Sequence, residues 1–418
     1  NLSYQDKLQL SSVEEYGEQF RDLFEEAVKI RLRSDVPLGA FLSGGVDSSL
    51  VVAVMSRLMD QPVKTFSIGF EEEAYDEVAF ARLIAEKYKT DHHEFIVKPD
   101  AVSILPQIVW HYNEPFADSS AIPTFYVSKM TRDFVTVALN GDGGDESFAG
   151  YERYLADKLA DYYRRVPPFM REGIIRRIVD KLPHSTNRRN FFRRLKRFVK
   201  GISEPPERRY VRWICFFDNE MKGDLYTPSF KDLNREYDSV DLTVKWYERA
   251  DAEQFLDRTL FVDVMSYLPE DLLVKVDIAS MAHSLEARSP FLDHKVMEFA
   301  ASLPPNLKLR GMETKFLLKH TLSDVVPKEI LQRKKMGFGV PLDVWFRNDL
   351  KEMAYDVLLD QKSIERGYFR KEYVSKMLDE HVSKQFDHSY RIWALLFLEL
   401  WHKMFVDGTL SPPVNDHR

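Results

Sequence analysis

The first regular hydrophobic pattern in the chain has the period of an α-helix. Between Val13 and Leu32, apolar residues recur every three or four positions, and charged residues occupy the positions between them. The apolar side consists of Phe20, Leu23, Phe24, Ala27 and Val28, and the charged side of Glu14, Glu18, Arg21, Glu25 and Lys29. The spacing predicts an amphipathic helix that packs one face against a core.

Short apolar runs then alternate with helical patterns. The runs at 36–42, 63–70, 92–97 and 134–139 predict strands. The predicted helices cover 47–59, 76–88, a segment that ends at Tyr112, and 123–131. Repetition of strand, turn and helix is typical of an α/β fold, in which helices flank a mostly parallel twisted sheet. We therefore expect roughly the first third of the chain to have this fold.

The pattern changes after Tyr151. Stretches of helical periodicity interrupted by proline replace the alternation, so a largely helical C-terminal portion should extend the α/β core. The pattern divides the chain into a linker at 1–12, an α/β core at 13–160, a helical insertion at 161–255, a helical portion at 256–410 that completes the core's site, and a tail at 411–418.

The composition of the 418 residues excludes several classes of protein. Lys and Arg number 59 against 66 Asp and Glu, and a net charge of −7 does not suit a protein that wraps a polyanion. A single cysteine, Cys215, rules out a disulfide framework, a Cys-based zinc site and a two-cysteine redox cycle. The chain has no long apolar stretch and no signal-peptide pattern at its start. We expect a cytoplasmic protein without a membrane partner, and a homodimer remains open.

A glycine-rich turn follows the first predicted strand. From Ser43 to Ser49 it reads Ser-Gly-Gly-Val-Asp-Ser-Ser. Ligands of open α/β sheets bind beyond the carboxyl ends of strands, where helix N-termini present free N–H groups. Two glycines let the backbone approach a phosphate, and the serine hydroxyls add donors. The alternative is an ordinary turn in which Asp47 or Ser48 caps the next helix.

A second glycine-rich turn, Gly141 to Glu146, follows the fourth predicted strand and contains three carboxylates. Carboxylates suit a phosphate site only where a cation intervenes. Asp145 and Asp47 together therefore predict Mg²⁺ held between the protein and phosphate oxygens. The alternative is a solvated acidic turn. Neither turn matches a Walker A loop or a dinucleotide-binding fingerprint.

These turns and several further motifs carry a family resemblance. Ser43 to Ser48 resembles the pyrophosphate loop of the adenine-nucleotide α-hydrolase-like ATPases, which cleave ATP between the α- and β-phosphates and adenylate a substrate. Over residues 13–346 the chain resembles the synthetase half of glutamine-dependent asparagine synthetase. The matching motifs are Arg33 to Gly39, Thr65 to Phe70, Asn140 to Glu146 with Gly150 and Tyr151, Leu268 to Asp277, Ser284 to Asp293, and Lys334 to Phe338.

The resemblance implies that ATP and Mg²⁺ bind at particular positions. The pyrophosphate would be held by Ser43, Gly44, Gly45, Asp47 and Ser48. The adenine would lie beside Leu42 and Ile68, Gly141 would also contact the nucleotide, and Asp47 and Asp145 would reach Mg²⁺.

The resemblance also implies catalytic and substrate positions. Asp142 stands where the family often has Glu, next to the reacting carboxylate, and Lys315 would lie near the α-phosphate and stabilise developing negative charge. Asp118, Ser119 and Gly143 would bind the amino-acid substrate. The alternatives are a solvated helix lysine at position 315 and an Asp or Ser helix cap in the segment around Asp118.

The implied reaction converts aspartate to asparagine. The aspartate carboxylate attacks the α-phosphate of ATP and releases pyrophosphate, and ammonia then displaces AMP from the β-aspartyl-adenylate. Asn1 stands where glutamine-dependent members have the Cys nucleophile of an N-terminal glutaminase domain. We therefore expect either a synthetase half cut from a longer chain that contains this domain, or an enzyme that uses free ammonia or an ammonia-donating partner.

Two other acceptor classes remain open. Relatives with the same nucleotide loop amidate sugar acids, cyclise peptides or close β-lactam rings, and the β-lactam-forming relatives are expected to use a Tyr–Glu pair that the sequence does not reveal. Transfer-RNA modifying relatives are the rival, because residues 163–212 contain 16 Arg and Lys with interleaved aromatics. A docking face explains that basic segment equally well, and we do not expect a nucleic-acid partner. Cys215 lies among apolar residues and is expected to be a buried structural residue.

Overall fold

The structure is a computed structural model that describes residues 2–70, 77–97, 101–164, 166–167, 169–170, 175–180, 195, 198–199, 201–202, 204–333 and 337–412. Four parts of these predictions lie outside the described residues: the helix start at Asp76, nearly half of the basic segment 163–212, the motif residues 334–336 and the end of the tail. The chain forms two compact units, one from residues 1–98, 120–155 and 246–339, the other from 99–119, 156–245 and 340–418. The division into five segments stays a prediction.

The first unit is built on a five-stranded sheet in which every neighbouring pair is parallel. Its strands, in the order β3-β2-β1-β4-β5, are β1 (Leu38–Phe41), β2 (Lys64–Phe70), β3 (Asp91–Val97), β4 (Val137–Leu139) and β5 (Glu286–Arg288). Helices flank the sheet, so the predicted α/β fold class is confirmed.

The helices of the first unit follow the predicted pattern closely in its early part. They are Val13–Arg31, Val46–Leu58, Val78–Tyr88, Ala121–Arg132, Gly144–Phe148, Phe255–Val262, Val274–Met281, His294–Ser302, Pro305–Lys308, Phe316–Thr321 and Lys328–Gln332. A π-helical stretch (Asp263–Leu273), which contains Pro269, connects helix Phe255–Val262 to helix Val274–Met281 without a break. A short hairpin of Leu309–Arg310 and Glu313–Thr314 leads into Phe316–Thr321.

The first helix shows why its sequence forms this element. The hydroxyl of Ser12 accepts a hydrogen bond from the backbone N–H of Glu15, and Glu14 and Glu15 lie at the positive end of the helix dipole. The predicted apolar face is buried, and the ring centroids of Phe20 and Phe148 lie 5.3 Å apart. This face therefore fixes the glycine-rich turn that precedes Phe148 to the core.

The fifth strand was not expected. β5 pairs with β4 in the register Ala138↔Ala287, although the sequence pattern placed every strand before Tyr151. The strand has three residues, Glu-Ala-Arg, and is too short and too polar to produce an alternating pattern.

The second unit is largely helical, as predicted for the later part of the chain. Its helices are Ala101–Tyr112, Arg176–Asp180, Pro206–Ile214, Asn219–Leu225, Pro228–Leu233, Leu342–Trp345, Lys351–Leu358, Gln361–Glu365, Lys371–Val382 and Ser389–Trp401, followed by a π-helical turn (His402–Val406). Two of the boundaries between the units lie within helices Glu152–Arg164 and Ser239–Arg249. None of the helices described is long and apolar enough to cross a lipid bilayer.

Described cations of the basic segment form ion pairs within the second unit. Arg208 pairs with Asp238 at 2.9 Å, and the fully buried Arg209 pairs with Asp157 at 2.5 Å. These guanidinium groups are matched by carboxylates, which favours the structural interpretation of this part of the segment. Cys215 is half-buried and therefore less buried than the sequence predicts. It lies at the end of helix Pro206–Ile214, where its thiol donates to the carbonyl of Arg212 at 3.5 Å.

Candidate functional site

The two glycine-rich turns lie side by side because their strands are neighbours. β1 and β4 are parallel and pair in the register Ala40↔Leu139, so both strands end at the same edge of the sheet. A Cβ atom added to Gly141 would lie 2.8 Å from the Cβ of Asp47, and one added to Gly144 would lie 2.7 Å from the Oδ1 of Asp47. Glycine is therefore required at both positions to let the second turn approach Asp47.

Three charged side chains meet where these turns touch. The Nζ of Lys315 pairs with the Oδ2 of Asp47 and lies 2.7 Å from the Oδ1 of Asp145. Asp47, Asp145 and Lys315 are only 8%, 7% and 4% exposed. The predictions of a solvated acidic turn and of a solvated helix lysine, kept as alternatives, are therefore wrong. Two carboxylates share one ammonium, so this cluster has a net negative charge and suits a further cation.

The backbone at Lys315 is in an unusual conformation. Its φ and ψ are 53° and 38°, in the left-handed region, immediately before helix Phe316–Thr321. This region costs a non-glycine residue about 1 kcal/mol or more. Such strain in a buried charged residue favours a functional interpretation, because glycine or asparagine would fit this backbone better.

The first turn offers donors as the sequence predicts. The Oγ atoms of Ser43 and Ser48 are 3.1 Å apart, and the backbone N–H of Gly45 donates to the Oγ of Ser43 at 3.4 Å. Gly45, and not Asp47 or Ser48, is the N-cap of helix Val46–Leu58 and supplies no capping side chain. The capping alternative is therefore wrong, and the N-terminus of this helix keeps N–H groups for an anion.

A buried acid beside the cluster escaped the sequence analysis. Burial first, and then the charge of Asp145, raise the pKa of Glu146 to about 7. The hydroxyl of Tyr151 donates to Glu146, and the guanidinium of Arg153 lies 4.0 Å from the centre of the Tyr151 ring and 3.0 Å from Asp263. The chain thus contains a Tyr–Glu pair, although its sequence revealed none. Glu146 lies in the motif Asn140 to Glu146. Its closeness in sequence to Tyr151 was the only signal from which this pair could have been predicted.

The other predicted nucleotide residues lie directly after β1 and within β2. Leu42 is buried and its backbone N–H donates to the carbonyl of Phe66 at 2.8 Å, while Ile68 is buried two residues further along β2. The hydroxyl of Ser67 donates to the carbonyl of Leu42. These bonds order the edge of the sheet next to the first turn, and the adenine contact stays a prediction.

Asp142, predicted to be catalytic, and the residues predicted to bind the amino acid lie in different parts of the chain. The carbonyl of Asp142 accepts from the hydroxyl of Ser289 at 2.5 Å. Gly143 has φ of 88°, and a Cβ there would overlap the side chain of Leu292. Steric crowding therefore explains why this position is a glycine. Asp118 and Ser119 belong to the second unit, and their binding roles stay predictions.

The donors around Lys315 fit a magnesium ion bound together with phosphates. Mg²⁺ prefers oxygen ligands and is commonly held by one or two carboxylates plus substrate phosphates and water. Asp47 and Asp145 supply two such carboxylates. Among the described residues, no group of three or more His, Cys, Asp or Glu side chains forms a complete metal cage. The remaining ligands would therefore come from phosphate and water.

Comparison with known proteins identifies the family. The asparagine synthase family model matches residues 19–403. The chain belongs to the asparagine synthase family. It is 32% identical over 401 residues to asparagine synthetase [glutamine-hydrolyzing] 1 of Bacillus subtilis, which covers 96% of this chain and 61% of that protein. The resemblance inferred from the motifs is thereby confirmed at the level of the family.

Other relatives differ in their names. The putative asparagine synthetase [glutamine-hydrolyzing] of Mycobacterium tuberculosis (strain H37Rv) is 33% identical over 397 residues, which are 94% of this chain and 58% of that protein. The amidase chry2 of Gibberella zeae is 26% identical over 388 residues, and the match covers 82% of this chain and 55% of that protein. The chain thus spans about three fifths of the length of these asparagine synthetases.

Gly150→Ala is expected to destabilise the protein, because an added Cβ would overlap the carboxylate of Asp145 and the side chain of Lys315. Overpacking of this kind costs about 1–3 kcal/mol, and chemical denaturation measures it as a lower free energy of unfolding. Gly223→Ala is the control, because a Cβ there meets only the Nζ of Lys231, at 3.7 Å, inside a helix. Equal free energies of unfolding for the two variants would contradict the close packing around Lys315.

Proposed function

We propose that the protein synthesises an amide at the expense of ATP, with aspartate as the carboxylate and asparagine as the product. The observation that carries this proposal is the buried cluster of Asp47, Asp145 and Lys315 next to a glycine-rich turn and a helix N-terminus. Phosphate oxygens, a divalent cation and a lysine together neutralise the charge that phosphoryl and adenylyl transfer develops. Membership of the asparagine synthase family supports the same chemistry.

The first step activates the carboxylate. A carboxylate oxygen attacks the α-phosphorus of ATP, the bond to the bridging oxygen breaks, and pyrophosphate leaves. N–H groups of Gly44 and Gly45 and the hydroxyls of Ser43 and Ser48 would bind the pyrophosphate, and Lys315 would stabilise charge on the α-phosphate. The product of this step is an acyl-adenylate.

The second step forms the amide. The nitrogen of ammonia attacks the acyl carbon, a tetrahedral oxyanion forms, and AMP leaves as the C–O bond breaks, while nitrogen loses a proton. Lys315 would offset the oxyanion charge, and burial of the cluster would limit access of water to the adenylate. Asp142, Gly143, Asp118 and Ser119 are proposed to position the amino acid.

Magnesium would be held by Asp47 and Asp145 together with phosphate oxygens. Bound there, it would neutralise charge on the departing pyrophosphate. The ammonia would come from a glutaminase domain of the same full-length chain or from a separate donor, as the names of the relatives suggest for those proteins.

A second candidate is a sister amidotransferase that activates another carboxylate. The observation that favours it is the shorter side chain of Asp142 at the position where the family often has Glu, because a shorter carboxylate would leave more room for a different acceptor. The named amidase among the relatives fits this alternative. Sugar acids, peptides and β-lactam precursors are the candidate acceptors.

The test identifies the products. The protein is incubated with ATP, Mg²⁺ and ammonium, and aspartate, other carboxylates or bulk transfer RNA are offered in turn. We expect asparagine, AMP and pyrophosphate in equal amounts with aspartate. An amide formed only from another carboxylate would favour the sister amidotransferase. Modified transfer RNA would contradict both proposed functions. Formation of ADP in place of AMP would contradict the adenylate.

A further inference from the structure

Arg333 lies behind the first glycine-rich turn, directly after helix Lys328–Gln332. Its Nη1 donates to the carbonyl of Gly44 at 3.0 Å and more weakly to that of Ser43 at 3.4 Å. Its Nη2 pairs with Glu77, and both side chains are about 90% buried. One guanidinium thus connects the turn to the beginning of helix Val78–Tyr88.

The two carbonyls determine where the N–H groups of the turn point. All peptide bonds described are trans, and in a trans peptide the C=O and N–H point in opposite directions. The carbonyls of Ser43 and Gly44 share their peptides with the N–H groups of Gly44 and Gly45. These N–H groups therefore point away from Arg333. The N–H of Gly45 indeed points to the Oγ of Ser43, on the side of the serine hydroxyls.

Close packing holds Arg333 and the turn in this arrangement. The guanidinium lies 4.4 Å from the centre of the Phe80 ring, on the helix that Glu77 precedes. Gly44 has φ of 65°, and a Cβ there would overlap the backbone of Phe80 and Ala81. The turn is supported from behind by a helix and a buried cation, and it presents N–H groups and hydroxyls on its other side.

We propose that Arg333 is a positioning residue for the nucleotide: it binds the carbonyls of the turn from behind, is held there by Glu77, and orients the N–H groups toward the pyrophosphate without touching the phosphates. This proposal deepens the proposed function and rests on it. It predicts that Arg333 and Glu77 act as a unit on nucleotide affinity. A guanidinium that bound phosphate directly would behave differently, because removal of the competing Glu77 carboxylate would strengthen nucleotide binding.

The test is the dissociation constant of ATP with Mg²⁺, measured by calorimetry without any carboxylate substrate. Arg333→Met should raise this constant about tenfold or more, since it removes charge-assisted hydrogen bonds that fix the turn. Arg333→Lys should recover part of the loss, because a single ammonium can reach one carbonyl but not the carbonyls and Glu77 together. Glu77→Gln should weaken binding as well, and the double variant should be no weaker than Arg333→Met alone.

Arg310→Met is the matched control, since the guanidinium of Arg310 also lies over an aromatic ring, that of Phe316, at 4.5 Å. Its ATP affinity should equal that of the unmodified protein, and thermal unfolding shows whether each variant is folded. Unchanged affinity in Arg333→Met, or tighter binding in Glu77→Gln, would overturn the proposal and leave the proposed function standing. Normal ATP binding without amide formation would overturn only the function, and no ATP binding by the unmodified protein would overturn both.

Discussion

Lys315→Met is expected to lower the rate of amide formation by a factor of about 10²–10³ while changing ATP affinity much less. The ammonium lies between the two carboxylates of the cluster, where negative charge develops in both proposed steps. Loss of one preorganised group that stabilises an oxyanion typically has an effect of this size. Steady-state rates and ATP dissociation constants, measured on the same preparation, separate the two quantities.

The same variant should also change stability. Without Lys315, Asp47 and Asp145 are two buried carboxylates that lack their shared cation, and breaking a buried ion pair of this kind costs about 3–5 kcal/mol. Magnesium should restore more stability to Lys315→Met than to the unmodified protein, because it replaces the missing charge. Thermal unfolding with and without Mg²⁺ measures this difference.

Lys319→Met provides the control for both effects. Lys319 lies one turn further along the same helix and is half-buried, and burial lowers its pKa. The variant should keep its rate of amide formation and its response to Mg²⁺. A Lys315→Met enzyme with unchanged turnover would refute the catalytic role, and an equal response to Mg²⁺ in both variants would refute the shared metal site.

Asp47→Asn is expected to abolish exchange of pyrophosphate into ATP and to leave the fold intact. An amide keeps the shape of the side chain and one oxygen for Lys315, so the turn and the helix behind it should remain packed. The amide carries no charge, and Mg²⁺ binds carboxylates far better than amides in a site with so few protein ligands. Exchange of labelled pyrophosphate and circular dichroism measure the two expectations.

The matched control is Asp324→Asn, whose carboxylate pairs with Arg21 at 2.9 Å on an exposed surface. Exposed pairs contribute about 0–1 kcal/mol, so this variant should keep both exchange and stability. Exchange at the normal rate in Asp47→Asn would remove the metal role from this residue. Loss of the folded spectrum in that variant would show instead that the charge of Asp47 is required for folding.

The strands β1 and β4 could be predicted because each is an apolar run that leads into a glycine-rich turn. β1 and β2 begin within two residues of their expected positions and end within one. β5 could not be predicted, because it owes its strand conformation to pairing with β4, and the paired residues Ala138 and Ala287 are 149 positions apart in the chain. A pairing between residues so far apart in the sequence leaves no periodic hydrophobic pattern within a strand of three residues.

The two turns of the site could be predicted for the same local reason. Gly44, Gly45 and Gly141 follow apolar runs directly, and carboxylates beside glycines suggested a cation. The family resemblance, and not the local pattern, pointed to Lys315, which lies 268 residues after Asp47 and reaches it only in the folded chain.

The buried groups around the cluster could not be predicted from local patterns. Burial raises the pKa of Glu146, and burial depends on packing that a sequence window does not contain. The contact of Arg333 with the carbonyls of Ser43 and Gly44 joins residues about 290 positions apart. Sequence reasoning identified the two turns, while the groups that support them from behind became visible only in the fold.

Exchange of labelled pyrophosphate into ATP, with Mg²⁺ and with aspartate present or absent, shows whether the protein activates a carboxylate. Exchange reports reversible formation of an acyl-adenylate and needs no ammonia, so it does not depend on a glutaminase. We expect exchange that requires aspartate and disappears in Asp47→Asn. No exchange with aspartate or with any other carboxylate offered would contradict the claim that the cluster of Asp47, Asp145 and Lys315 activates a carboxylate through ATP.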